Sequence, residues 1–161
     1  MIIRAAIEND LERVWQLFKG IIDEDVYFAY DHTTTREQIE ASWVNLKNYV
    51  YIAEIDGQIA GSFIVKPNQP GHGAHIANAA YMVDPAFRGH GIGRFLGLHS
   101  VAIAREAGFR GMQFNMVVST NKEAVHLWQS LGFDIIGTVP GGFLHKQEGY
   151  VDAYIMFQSL I

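Results

Sequence analysis

Hydrophobic and polar positions change period several times along this chain, and each change marks an element. IIRAAI (residues 2–7) reads as a short strand, and Asn9 stands where a helix through LERVWQLFKGI (11–21) needs a cap. A second helix fits TREQIEASWVNL (35–46). YVYIAEIDGQIAGSFIV (49–65) gives two β-rich runs around Asp56-Gly57, a dipeptide suited to a hairpin turn. KPNQPGHGA (66–74) is a loop. HIANAAYMV (75–83) is a strand halted at Asp84-Pro85, because the residue before proline is pushed out of helical geometry.

The helical period returns over 91–107, with Ile92, Phe95, Leu96 and Ile103 on one stripe and Gly108 as its stop. MQFNMVV (112–118) is the next strand. It sets Met112, Phe114, Met116 and Val118 on one face, with Gln113 and Asn115 on the other. Thr120 and Glu123 have capping-box spacing ahead of a helix whose face carries Ala124, Leu127, Trp128 and Leu131. FDIIGTV (133–139) and YVDAYIMF (150–157) close the chain as strands around a Gly-rich connection, PGGFLHKQEG (140–149). The order β-α-α-β-β-β-α-β-α-β-β predicts an α/β fold with a mixed sheet. Antiparallel strands come early, and the later strand–helix–strand units predict a parallel pair.

The 161 residues suit one domain over 1–161 with a sizeable core, and 49% hydrophobic against 18% charged residues is ordinary for a globular protein. No apolar run approaches the ~20 residues that span a bilayer. The start, MIIRAAIENDLERVW, has no signal-peptide pattern, so a cytoplasmic location without membrane attachment is expected. The absence of cysteine excludes a disulfide framework, a thiolate nucleophile and a zinc–thiolate site. A formal charge of -5 without a basic run argues against nucleic acid as a partner. It does not exclude an anionic small ligand.

The candidate for such a ligand is DPAFRGHGIGRFLG (84–97), where Gly89, Gly91 and Gly93 alternate between Arg88 and Arg94 before a helix begins. Free N–H groups at a helix start, bare backbone and local positive charge together suit a phosphate or pyrophosphate. A P-loop needs a Gly-Lys-Ser/Thr ending, which is missing, and a dinucleotide fingerprint needs its third glycine where Arg94 stands.

The spacing Arg88-x-x-Gly91-x-Gly93 instead resembles the acyl-CoA pyrophosphate loop of the GCN5-related N-acetyltransferases. NKEAVHLWQSLGF (121–133) resembles the later motif of that family, and the likeness extends over essentially the whole chain. HIANAAYMV, MQFNMVVSTN and LWQSLGF are similar to a branch whose fungal members acetylate azetidine-2-carboxylate and other proline analogues. The resemblance implies the acyl-CoA N-acyltransferase fold, with helices on both faces of a sheet whose parallel pair splays apart. It implies acetyl-CoA as co-substrate, a small-molecule amine as partner, no metal, and assembly as a homodimer. Met82 and Val83 would then offer backbone contacts to pantetheine. Arg88, Gly89, Gly91, Gly93 and Arg94 would hold pyrophosphate, and Asn121 would face the pantetheine or acetyl region, a role that can coexist with its other reading as a plain helix cap. The same branch places Asn78 and Asn115 in the active site as the catalytic pair.

Acetyl transfer needs a neutral amine beside a thioester carbonyl, a donor for the developing oxyanion, and a path for the amine proton. The Met82–Val83 backbone is the expected oxyanion donor. Many family members carry a tyrosine as acid where this chain has Trp128, and an indole does not transfer protons near neutral pH. Trp128 is therefore expected to be a packing wall. No carboxylate base stands in HIANAAYM, and bound water is left to carry the proton. His72 and His75 have metal-like spacing but no carboxylate partners, and of the histidines only His75 is a candidate base. His99 reads as a core histidine and His126 as solvent-facing. YFAYDH (27–32) and the 140–149 connection are the expected acceptor walls, while Tyr150 and Tyr154 read as core. Two other readings compete with a small-molecule acetyltransferase. One is an enzyme for protein N-termini or lysines. The other is an acyl-CoA-binding module without turnover.

Overall fold

In the computed structural model, which describes residues Met1–Ile161, β1 (Ile2–Ala5) leads through a 3₁₀ turn into α1 (Leu11–Glu24). Next come α2 (Arg36–Ser42), β2 (Tyr49–Ile55), β3 (Gln58–Pro67) and β4 (Ile76–Val83). Then follow α3 (Ile92–Glu106), β5 (Gly111–Val118), α4 (Lys122–Ser130), β6 (Asp134–His145) and β7 (Gly149–Ser159). The predicted order of elements is the observed one. All seven strands join one sheet in the order β1-β2-β3-β4-β5-β7-β6, antiparallel except for β4 beside β5. No helix is long and apolar enough to cross a membrane.

The sheet separates two cores. Ile52, Ile64, Ala80 and Met82 face α1 and α2, packing on Val14, Phe18 and Ile39. Phe63, Val65, Ala77 and Met112 face α3 and α4, packing on Ile92, Leu96 and Phe133. Strands buried on both faces need continuous apolar runs, as Phe63, Ile64 and Val65 supply in β3. A Cβ at Gly97 would sit 2.5 Å from Leu131 Cδ1 and 3.2 Å from Trp128 Cζ3 of α4, so the glycine in α3 leaves room for both side chains.

Local details depart from the sequence reading where distant partners intervene. Asn9 does not cap α1. The chain enters through Asp10, whose carboxylate accepts from the Ile7 N–H and takes two hydrogen bonds from Arg4 of β1. The second helix stops at Ser42 because the Asn45 and Asn48 carboxamides bond the carbonyls of Glu40, Ser42 and Trp43. Its start is the Thr35–Gln38 capping box. The cap of α4 is Asn121, which accepts from the Ala124 N–H, and not Thr120. The Gly-rich connection is largely strand. β6 continues to His145 through irregularities at 135/137 and 139/143, burying Phe143 on the way. Tyr154 is half-buried as expected, but Tyr150 is 78% exposed.

One irregularity shapes the site. β5 loses register with β7 between Phe114 and Val117. The strict alternation along MQFNMVV therefore breaks: Phe114 and Val117 are buried, while Asn115 and Met116 are both exposed.

Candidate active site

Parallel pairing between β4 and β5 covers only Ile76↔Gly111 and Ala77↔Met112. Beyond that point β4 stays with β3 as far as Val83, and β5 stays with β7 as far as Val118. The two strands part, and their facing edges lose a lateral partner. Backbone N–H and C=O groups cannot be left unpaired away from water, so this wedge suits a ligand that carries amides of its own. A cavity of about 550 Å³ fills the wedge and continues beneath α1 and the segment that follows it.

The residues singled out in the sequence gather around this cavity. Asn78, Val83, Arg88, Asn115, Asn121 and Trp128 all line it. The Met82 side chain is fully buried towards α1 and α2, so only its backbone is left for the wedge. Past Val83, Asp84 accepts from the Ala86 N–H and holds the turn into the loop. Gly89 and Gly91 have φ of 82° and 73°, and Gly91 is the N-cap of α3, with no side chain over the first free N–H groups. A Cβ at Gly93 would meet only Leu127 Cδ2, at 3.6 Å. Its bareness is therefore not demanded by the fold. Arg94 donates to Ser130 Oγ at 2.8 Å and has no carboxylate partner, whereas Arg88 pairs with Glu24 of α1.

The two catalytic candidates sit differently. Asn78 is cross-strand from Lys66 and shares the sheet face of Ala80 and Met82. Its Oδ1 accepts from the Ala79 N–H at 2.8 Å, which fixes the carboxamide's polarity and leaves its NH₂ free at the cavity wall. Asn115 is held at both ends. Its Oδ1 accepts from Gln113 at 3.0 Å and its Nδ2 donates to Asn68 at 2.7 Å, which leaves one N–H free. Asn68 belongs to a stretch that the sequence marks only as loop, and nothing local singled it out.

Trp128 packs on Tyr81 and Phe114, with ring centroids 4.6 and 4.8 Å away, and forms an aromatic wall. Tyr81 bonds Ser100 Oγ at 2.8 Å, and burial pushes its phenol well above the usual tyrosine range, so it is no proton source near neutrality. No histidine lines the cavity, and Glu123, exposed at the start of α4, is its one carboxylate. His75, the candidate base, is exposed at the opposite end of β4 from the loop. His99 is held by the Phe95 carbonyl at 2.9 Å, and His126 is exposed.

The far half of the cavity is aromatic. Phe18, Tyr27, Phe28, Tyr30 and Trp43 line it, so YFAYDH does form a wall. Lys66 lies behind Trp43. Its ammonium is 4.0 Å from the ring centroid and donates to the Ser42 carbonyl at 3.0 Å, and burial lowers its pKa. A second cavity of about 370 Å³ adjoins the first through Phe28, Ala29, Tyr30 and Met116. Asp25, Asp31, His32 and Lys146 rim it, a mixed set of charges contributed by the α1–α2 segment and the β6–β7 hairpin.

A splayed parallel pair followed by a glycine loop at a helix start is the geometry expected from the sequence resemblance. The sequence model of the acetyltransferase (GNAT) family matches residues 7–133. This chain belongs to the GNAT acetyltransferase family. A GCN5-related N-acetyltransferase from Kribbella flavida is similar throughout, with TM-score 0.91 and 40% identity over 98% of this chain and 96% of that one. N-acetyltransferase aca1 of Schizosaccharomyces pombe is 42% identical over 98 residues, 60% of this GNAT chain. The match spans about half (47%) of aca1's own length. The structure of yncA from Salmonella typhimurium, solved with its cofactor acetyl-CoA, shares the fold at TM-score 0.85 and 22% identity, over 100% of this chain and 94% of that one.

Proposed function

We propose that this GNAT chain transfers the acetyl group of acetyl-CoA to the amine of a small amino or imino acid of the proline-analogue type. Asn78 carries the reading. Its oxygen is satisfied by the backbone, and its NH₂ has no protein partner on the wall of the cavity. A neutral amide donor can hold a carboxylate without trapping the neighbouring amine as its ammonium, which an enzyme carboxylate would do. The cavity wall carries a single carboxylate, Glu123, exposed at the start of α4.

The wedge suits pantetheine, since the facing edges of β4 and β5 lack partners beyond Ala77 and Met112. The free N–H groups of α3 and the Arg94 guanidinium suit the pyrophosphate, with Arg88 already neutralised by Glu24. Acetyl-CoA would supply an activated acyl group. The chain would contribute placement above all, by holding amine and thioester together in attack geometry, with a backbone N–H near Val83 for the oxyanion. With no imidazole on the wall and Tyr81 held protonated, the amine proton leaves through water in the half-open cavity.

The mixed charge around the second cavity favours a small zwitterion over a basic peptide, since Lys146 interrupts the acidic rim. The test is CoA release from acetyl-CoA across a panel of amino acids, imino acids, simple amines and basic peptides. The chain has no cysteine, so a thiol reagent reads released CoA alone. Carboxylated amines are expected as the best substrates, with the same amines lacking the carboxylate turned over more poorly. Turnover of peptides alone, or acetyl-CoA binding without release for any amine, overturns the proposal.

A further inference from the structure

Tyr30 lies between α1 and α2 where the two cavities meet, and Trp43 lies just past α2. The Trp43 indole N–H donates to Tyr30 Oη at 2.7 Å. An indole nitrogen only donates, so this bond has a single polarity. It occupies one lone pair of the hydroxyl, and no acceptor in the protein takes the hydroxyl's own proton. Phe18 packs on both rings, with centroids 6.0 Å from Tyr30 and 6.4 Å from Trp43, and restricts how far either can turn. A hydroxyl whose oxygen already accepts a hydrogen bond is a stronger donor through its remaining proton.

Asn78 presents the same chemistry from the sheet: a satisfied oxygen and a free donor on the wall of the same cavity. Two neutral donors without protein acceptors on one cavity wall suit an anionic ligand atom. Lys66, which has no carboxylate partner, adds positive charge behind Trp43 and favours the same occupant. We propose that Tyr30 is a specificity-determining donor to the carboxylate of the acceptor, sharing it with Asn78. Trp43 is the positioning residue that aims the Tyr30 hydroxyl. This inference rests on the carboxylated-amine reading above and adds the residue pair that selects for it.

The test compares the best amino or imino acid of the panel with the same amine lacking its carboxylate, azetidine-2-carboxylate against azetidine being one such pair. Tyr30→Phe should raise the KM of the carboxylated amine about tenfold while kcat stays within about threefold. The KM of the decarboxylated amine and the affinity for acetyl-CoA should not change. Trp43→Phe, which leaves the hydroxyl in place but unaimed, should raise the same KM by a smaller factor and with the same selectivity. An unchanged KM for the carboxylated amine in Tyr30→Phe, or an equal rise for both amines, overturns the inference. If Tyr30→Phe does not melt as a folded protein, Trp43→Phe decides, and no carboxylate-selective rise there overturns it. Selective effects are readable only if the unaltered protein turns over carboxylated amines; if it does not, the proposed function falls first and takes this inference with it.

Discussion

Ala77 of β4 and Met112 of β5 are the last residues to face each other in the parallel pair. Every proposed contact with the acyl donor lies beyond them. Each strand keeps its outer neighbour, so the opening is built into the register and does not depend on a moving part.

Gly91 and Gly93 should fail for different reasons. Valine at Gly91 must adopt φ near 73°, which an L-residue with a branched β-carbon resists, so the start of α3 shifts. Valine at Gly93 leaves the backbone in place and intrudes on the ligand's approach. Each should weaken acetyl-CoA binding at least about tenfold, ~1.4 kcal/mol, by calorimetry. Only Gly91→Val should also lower the melting temperature markedly. Unchanged affinity in both variants would place the pyrophosphate elsewhere.

Trp128→Phe should retain most of its turnover. The indole packs on Tyr81 and Phe114, so the substitution removes contact area and costs about 1–3 kcal/mol of stability. A variant that melts normally and binds acetyl-CoA normally, yet loses more than about a thousandfold in kcat, ~4 kcal/mol, would make Trp128 part of the chemistry.

Asn78→Ala should chiefly raise the acceptor KM, and Asn115→Ala should chiefly lower kcat. The first removes a free donor from the acceptor wall, and the second also breaks the amide chain from Gln113 to Asn68. Steady-state kinetics with carboxylated and decarboxylated amines separates the two. Normal rates in both variants would leave these carboxamides as structural ties.

Acid stability should depend on Asp10, which is 8% exposed. Hydrogen bonds from Arg4, then the Ile7 N–H, hold its carboxyl below the usual range against the opposing effect of burial. The unfolded chain takes up this proton first as pH falls. The contribution is therefore complete above the unfolded value of about 3.9, and is lost as pH falls through the lower folded value. Asp10→Asn should cost about 1–2 kcal/mol near pH 7, the lower part of the range for a charged hydrogen bond because Arg4 is partly exposed. Melting curves from pH 7 to pH 2 should converge for variant and parent at the acid end. A constant gap across that range would assign the loss to packing instead.

What the sequence determined by itself was local. The hydrophobic period, the Asp56-Gly57 turn and the glycines before α3 act over a few residues, so the element order and the anion loop were legible there. The resemblance carried the site further, to Asn78, Asn115, Asn121 and the loop, because these keep fixed places on those elements. Tertiary structure decided everything that needed a distant partner. Arg88 meets Glu24 across 64 residues of chain and is offset by its carboxylate, while Arg94 meets only a hydroxyl. The β5 irregularity turns Met116 outward with Asn115, against simple alternation, because β7 sets that register. Trp43, just past the point where Asn45 and Asn48 end α2, reaches Tyr30 of the preceding segment, and Lys66 comes from the sheet to cover its ring. Period and propensity are properties of neighbours in the chain, whereas the direction of a hydrogen-bonding proton is set by whatever the fold brings beside it.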